Sequence, residues 1–262
     1  GLDAAMPRWA QDGGHLAWVT RLRDPAIRAR VRAEMRAPAA DWDNLYAAAG
    51  SAENVLLLSF KSPALKPYTG KTLAAVAALR GVSPEDAAID LVIEDDSRVG
   101  TAYFLMTEEN VRRQVALPWM SFCSDSGSVA PEGVFLLSNP HPRAYGAFAR
   151  VLGQYGRMPS APPLEELIRR LTSLPAETLR LRERGQLAVG WAADVVAFEP
   201  QTISDHATFA EPHRYATGMR HVLVNGVPVL ADGEHTGAVP GRVVRGPGWD
   251  PRIVVSQGAA LA

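Results

Sequence analysis

Apolar residues recur at every third or fourth position in several stretches of the chain. In "PAIRARVRAEM", Ile27, Val31 and Met35 stand at i, i+4 and i+8, on one side of a helix. "SPEDAAIDLVIEDD" carries the stripe Ile89, Val92 and Ile93, and opens with Ser83 at the N-cap, Pro84 at the first helical position and Asp86 near the third. In "PLEELIRRLTSL", Leu164, Leu167, Ile168 and Leu171 fall at i, i+3, i+4 and i+7. Further helices are predicted between Thr72 and Gly81, after Thr107, and over 143–157; residues 1–50 read as helical and irregular. Short apolar runs predict strands at "ENVLLLSF" (53–60), "TAYFLM" (101–106) and "MSFCS" (120–124). Strand and helix alternate across 53–125, which predicts parallel βα units. After about residue 185 the pattern changes. "ADVVAF" (193–198), "RHVLVNGVPVL" (220–230) and "GRVVRG" (241–246) read as short strands, and Asn225-Gly226 between apolar runs is a hairpin signal.

Composition narrows the picture. The 262 residues are 47% hydrophobic and 21% charged with a net charge of −1, an ordinary globular balance. The densest basic piece, "RLRDPAIRARVRAEMR" (21–36), is interspersed with acids and reads as a solvated helix face rather than a nucleic-acid surface. No apolar run approaches the roughly 20 residues of a membrane span. A single cysteine, Cys123, excludes a disulfide framework within the chain and a cysteine-rich zinc site, and reads as a small buried residue. "GLDAAMPRWA" shows no signal-peptide pattern, and a cytoplasmic location is expected.

The candidate chemistry gathers after the third predicted strand. Period-two alternation puts Ser121, Cys123 and Asp125 on one face, with Asp125 at the strand's C-terminal end, where parallel βα folds place working residues. Asp125 either opens a turn or serves as an acid–base or metal-facing group. "NPHPRAYGAF" sets His141 and Arg143 in a proline-stiffened backbone. Arg143 suits a substrate carboxylate through its planar fork, or pairs structurally with an acid. The six histidines make no H-x-H or H-x-x-x-H pair, so no complete metal site can be read from the chain. Gly-rich phosphate loops and G-x-S-x-G are absent.

"FCSDSGSVAPEG…NPHPRAYGAFARVLGQYGR" is similar to the signature of the N-acyl-D-amino-acid deacylases, the D-aminoacylases of the amidohydrolase superfamily. "LEELIRRLTSLPAETLRLRERGQLAVGWAADVVAFEP" resembles the segment in which that family leaves its barrel for a β-sandwich, and "DHATFAEPHRYATGMRHVLVNGVPVLADGEHTGAVPGRVVR" resembles its end. The resemblance covers about 1–250. It implies an α/β fold: the C-terminal part of a (β/α)8 barrel over 1–187, with the family's insertion within 1–70, and a β-sandwich segment over 188–262. It implies one or two zinc ions in the complete protein and an N-acyl amino acid substrate. From charge and hydropathy, neither nucleic acid nor membrane is expected as partner. Asp125 matches the last-strand aspartate, as proton shuttle and metal-facing group. The family's other ligands have no counterpart here, so the chain is expected to be a C-terminal portion. Arg143 matches the arginine that grips the substrate carboxylate. Tyr103 and Met106 match the pocket wall that receives an apolar side chain, or are plain core of a strand. Ser126 stands where many members have Gly, and the 126–140 loop is longer than in the shortest members. A cyclic-amide hydrolase of the dihydropyrimidinase or dihydroorotase type and a metal-free binding or assembly module are the competing readings.

Overall fold

The structure is a computed structural model that describes residues 1–250. The last part of the expected β segment, 251–262, lies outside the described residues. The elements run α1 (Arg8–Gln11), α2 (Gly14–Leu22), α3 (Pro25–Arg36), α4 (Leu45–Ala49), β1 (Val55–Ser59), α5 (Leu73–Arg80), α6 (Pro84–Asp95), β2 (Gly100–Tyr103), α7 (Glu108–Ala116), α8 (Arg143–Arg150), α9 (Leu164–Leu171), α10 (Ser173–Thr178), β3 (Val195–Phe198), β4 (Met219–Val224), β5 (Val227–Ala231) and β6 (Glu234–His235). They form two compact units. Among the described residues, one holds 1–111, 125–145 and 206–215; the other holds 112–124, 146–205 and 216–250.

The helices of the first unit form where the local code predicts them. Ser83 Oγ accepts from Asp86 N and donates to the Asp86 carboxylate, closing the start of α6 behind Pro84. Thr72 caps α5 through Ala75 N, and Gly81 ends it in the left-handed conformation that favours glycine. The apolar stripes turn inward: Val31, Met35, Ile89 and Val92 are fully buried with Leu57, Leu73 and Val76 in one core, and Ile27 and Ile93 pack against it. The arginines of the 21–36 stretch are not simply solvated. Arg28 bridges Asp86 and Asp90 on α6 at 2.9 and 2.7 Å, Arg32 reaches Asp86 at 2.9 Å, and Arg36 reaches Glu85 at 2.8 Å. That ladder joins α3 to α6 along the polar edge of their apolar contact.

The strands depart from expectation. β1 and β2 pair antiparallel, Val55 opposite Tyr103 and Leu57 opposite Thr101, with an irregularity before Ser59–Gly100. The predicted parallel units are therefore not what joins these strands: the intervening α5 and α6 pack as a helical pair and return the chain to β1 in the opposite sense. A Cβ at Gly100 would meet Ser59 Oγ, so a larger residue at this step would require the serine hydroxyl to move. Residues 104–106 leave the strand, and 120–124 is irregular rather than a strand. Cys123 is exposed, which corrects the buried reading.

In the second unit β3–β4–β5–β6 form a four-stranded antiparallel sheet. Asn225 and Gly226 turn the β4–β5 hairpin with φ of 49° and 81°. No strand forms at 241–246. α8 continues into one π-helical turn, Val151–Tyr155, and segment 203–205 packs closely on this region. Added Cβ atoms at Gly146 and Gly153 would strike Asp205 and the Ile203 carbonyl, and Arg150 locks Asp205 with bonds of 2.8 and 2.6 Å. Arg170, on α9 but off its apolar stripe, is fully buried. Its guanidinium donates to the Met120 and Val115 carbonyls at 2.6 and 2.7 Å and lies 4.7 Å from the Phe122 ring.

The ladder between α3 and α6 makes stability pH-dependent. Burial alone raises Glu85, but hydrogen bonds from Arg36, its own backbone and Tyr46 hold it below its ordinary value of 4.5; Asp86 is likewise held down by Ser83, Arg32 and Arg28 against its burial. A carboxylate with a depressed folded pKa stabilises above its unfolded value and loses that contribution as pH falls through the folded one. The urea midpoint is therefore expected to fall as pH drops below about 4.5. Glu85→Gln lowers the midpoint at neutral pH and flattens the acid limb, read by circular dichroism in urea titrations at each pH.

Candidate functional site

Asp125 and Arg143 come together. Arg143 Nη2 lies 2.9 Å from Asp125 Oδ2, with side chains 45% and 79% exposed. Asp125 adopts a left-handed φ of 46°, a conformation short polar side chains tolerate. It therefore sits at a bend in irregular chain, not at the end of a strand. Arg143 is the first residue of α8, and its backbone N–H donates to His141 Nδ1 at 3.1 Å, closing the turn that starts the helix. The Pro140 and Pro142 flanks fix the approach.

Strand β1 sets where this turn begins. The Leu58 carbonyl accepts from Asn139 N at 3.1 Å, so the 139–143 segment hangs from β1. Asn54, just before the strand, accepts from Phe104 N at 2.9 Å and fixes the chain leaving β2. Tyr103 ends β2 half-buried against the core. Its hydroxyl donates to the Gly1 carbonyl at 2.9 Å, and burial, with the Asp3 carboxylate, pushes its phenol above its ordinary value. Met106 is 77% exposed. The structure thus joins Asp125 to Arg143 directly, while the Tyr103 hydroxyl is occupied elsewhere and Met106 faces solvent.

The sequence reading missed a set of ring contacts made by His141 and Tyr145, the residues two before and two after Arg143. Phe104 packs edge-on against Phe209 with centroids 4.7 Å apart, and Phe209 meets His141 at 4.9 Å. Tyr145 meets His213 at 6.2 Å and Tyr215 at 5.7 Å. The partners lie more than 60 residues apart in sequence, so no local periodicity could reveal them.

Among the described residues, no group of three or more His, Cys, Asp or Glu side chains could hold a metal ion. Asp125 is a single carboxylate already paired with a guanidinium, so these residues by themselves do not make a zinc site. No helix among the described residues is long and apolar enough to cross a membrane.

Comparison with known proteins places the chain in a family. The amidohydrolase family model matches residues 4–230. The chain belongs to the amidohydrolase family. It is similar to a D-aminoacylase from Alcaligenes xylosoxydans xylosoxydans, 39% identical over 183 residues, which is 68% of this chain and 35% of that protein. Among solved structures it resembles a D-aminoacylase crystal structure (36% identity, TM-score 0.59, 70% of this chain and 36% of that one). It also resembles an N-acyl-D-glutamate deacylase from Bordetella bronchiseptica, complexed with zinc and a phosphonate mimic of the tetrahedral intermediate (35%, TM-score 0.59, 71% and 37%). The fold of this amidohydrolase-family chain is α/β, and the chain spans about a third of the length of the relatives it matches.

The exposure of the Asp125–Arg143 pair predicts a small energetic value. A double-mutant cycle of Asp125→Ala and Arg143→Ala is expected to give a coupling below about 1 kcal/mol in chemical denaturation. A coupling of several kcal/mol would show that the pair is a structural anchor.

Proposed function

We propose that the whole protein hydrolyses N-acyl-D-amino acids to a carboxylate and a D-amino acid. The observation that carries this reading is the ion pair itself. A guanidinium suited to a carboxylate stands 2.9 Å from an exposed aspartate, inside the stretch that resembles the deacylase signature. In the proposed roles Arg143 grips the substrate α-carboxylate with its planar fork. Asp125 takes the proton from the attacking water and passes it to the leaving amine. Tyr103 and Met106 contribute to the wall of the side-chain pocket. We assign to the whole protein the zinc known from the related deacylase, one or two ions that supply an activated water when bound. Asp125 is the one metal-facing group proposed from this chain. The proposed organisation is the C-terminal part of a (β/α)8 barrel over 1–187, with an insertion within 1–70, followed by a β-sandwich segment over 188–262, in a cytoplasmic enzyme.

The test is turnover by the whole protein and its variants. Asp125→Ala is expected to abolish hydrolysis of N-acetyl-D-amino acids while leaving the fold intact by circular dichroism; near-normal kcat sinks its role as proton shuttle. Arg143→Ala is expected to weaken carboxylate-bearing substrates by about 2–5 kcal/mol in kcat/KM. Equal loss on uncharged N-acyl amines makes Arg143 structural instead. Ring opening of hydantoin or dihydropyrimidine without activity on N-acyl-D-amino acids favours the cyclic-amide alternative. A folded, metal-free and inactive protein favours the binding-module one.

A further inference from the structure

Residues 117–124 form neither helix nor strand, yet this stretch leads directly into Asp125. Without a ladder partner it has to be held some other way, and the donors come from α9. Arg169 Nη2 donates to the Pro118 carbonyl at 3.0 Å, Arg170 Nε to the Met120 carbonyl at 2.6 Å, and Arg170 Nη1 to the Val115 carbonyl at 2.7 Å. Val115 lies in the last turn of α7, where carbonyls lack an intrahelical partner and a cation is favoured. One guanidinium thus closes the end of α7 and fixes the turn that follows it.

The two arginines differ in their settings. Arg169 is 40% exposed and pairs with Glu166 at 2.8 Å. Arg170 is fully buried, and the acceptors of its Nε and Nη1 are main-chain carbonyls rather than a carboxylate. Its Nη2 is buried with no hydrogen-bond partner among the described residues. A cation buried in this way is a poor source of stability. What it supplies is geometry: the planar fork takes two carbonyls five residues apart while the guanidinium lies 4.7 Å from the Phe122 ring.

We propose that Arg170 is a positioning residue for Asp125, acting through the main chain of residues 120–124. The inference rests on the proposed role of Asp125 as proton shuttle. Asp125 is 79% exposed, so its own burial does not fix it. Phe122 stands three residues before it, and three residues of chain reach at most about 11 Å, so a fixed Phe122 confines the carboxylate. A proton shuttle has to stay within hydrogen-bond reach of the proton that it moves, and a misplacement of about 1 Å can cost on the order of 100-fold in rate. Arg170 touches no reacting atom in this role. A lysine in its place keeps the charge but not the fork, and cannot hold both carbonyls in the same way.

The experiment compares the whole protein with its Arg170→Lys, Arg170→Met and Phe122→Ala variants. It measures kcat and KM on N-acetyl-D-leucine and N-acetyl-D-glutamate, with kcat referred to the folded fraction from circular dichroism, and amide hydrogen exchange by mass spectrometry. Arg170→Lys is expected to lower kcat about 10-fold or more with KM within about 3-fold, and to speed exchange in peptides from 115–125 while those of α6 keep their rates. Arg170→Met should lose more than Arg170→Lys. Phe122→Ala should lose kcat in the same direction by a smaller factor, and it carries the test if both Arg170 variants fail to fold. Unchanged kcat in a variant whose 115–125 peptides exchange faster overturns the proposal, as does a fall in kcat without that local change. Faster exchange across the whole chain with normal kcat per folded molecule makes Arg170 structural. If the unaltered protein hydrolyses neither substrate, the functional reading fails and takes this inference with it. Hydrolysis by the unaltered protein with normal kcat in the variants overturns the inference alone.

Discussion

Backbone hydrogen bonding by β1 is the constraint on which the first unit and its site depend. Along one edge it carries β2 in antiparallel register. Along the other, Leu57 exchanges bonds with the turn at 70–71, its N–H donating to the Lys71 carbonyl and its carbonyl accepting from Gly70 N. With both edges engaged and Val55, Leu56 and Leu57 buried, the strand has no freedom to slip, because a one-residue shift would reverse every side chain. The carbonyl of Leu58 then fixes Asn139, and through it the turn that delivers Arg143. Chemistry on an exposed arginine is thus referred back to a rigid core element through a single amide contact.

How much of this was legible in the sequence depended on distance along the chain. Ser83, Pro84, Thr72 and Gly81 act within one helical turn, and the helix ends they predict are the ones observed. The stripes Val31–Met35 and Ile89–Val92 bury as their spacing requires, and Asn225-Gly226 makes its hairpin. Strand direction was not legible. An apolar run reads the same whether its partner is parallel or antiparallel, and the choice was made by how α5 and α6 return the chain. "MSFCS" failed as a strand because no partner edge reaches it; its neighbourhood is instead held by Arg170, whose full burial contradicts its usual place on a helix surface.

The candidate site divides in the same way. Asp125 and Arg143 were singled out from their motif, and the structure sets them against each other. Tyr103 and Met106, named for the pocket wall, stand apart from that pair: the Tyr103 hydroxyl donates to the Gly1 carbonyl and Met106 is exposed. The rings that meet His141 and Tyr145, on either side of Arg143 in sequence, come from the 206–215 segment, whose proximity only the folded chain reveals.

Cys123 offers a practical consequence. It is the sole thiol in the chain, it is exposed, and it precedes Asp125 by two residues. A maleimide fluorophore coupled there would lie on irregular backbone close to the aspartate without any engineered residue. Its emission would then report on rearrangement of the 120–125 segment in real time, turning an otherwise silent side chain into an optical gauge of the neighbourhood.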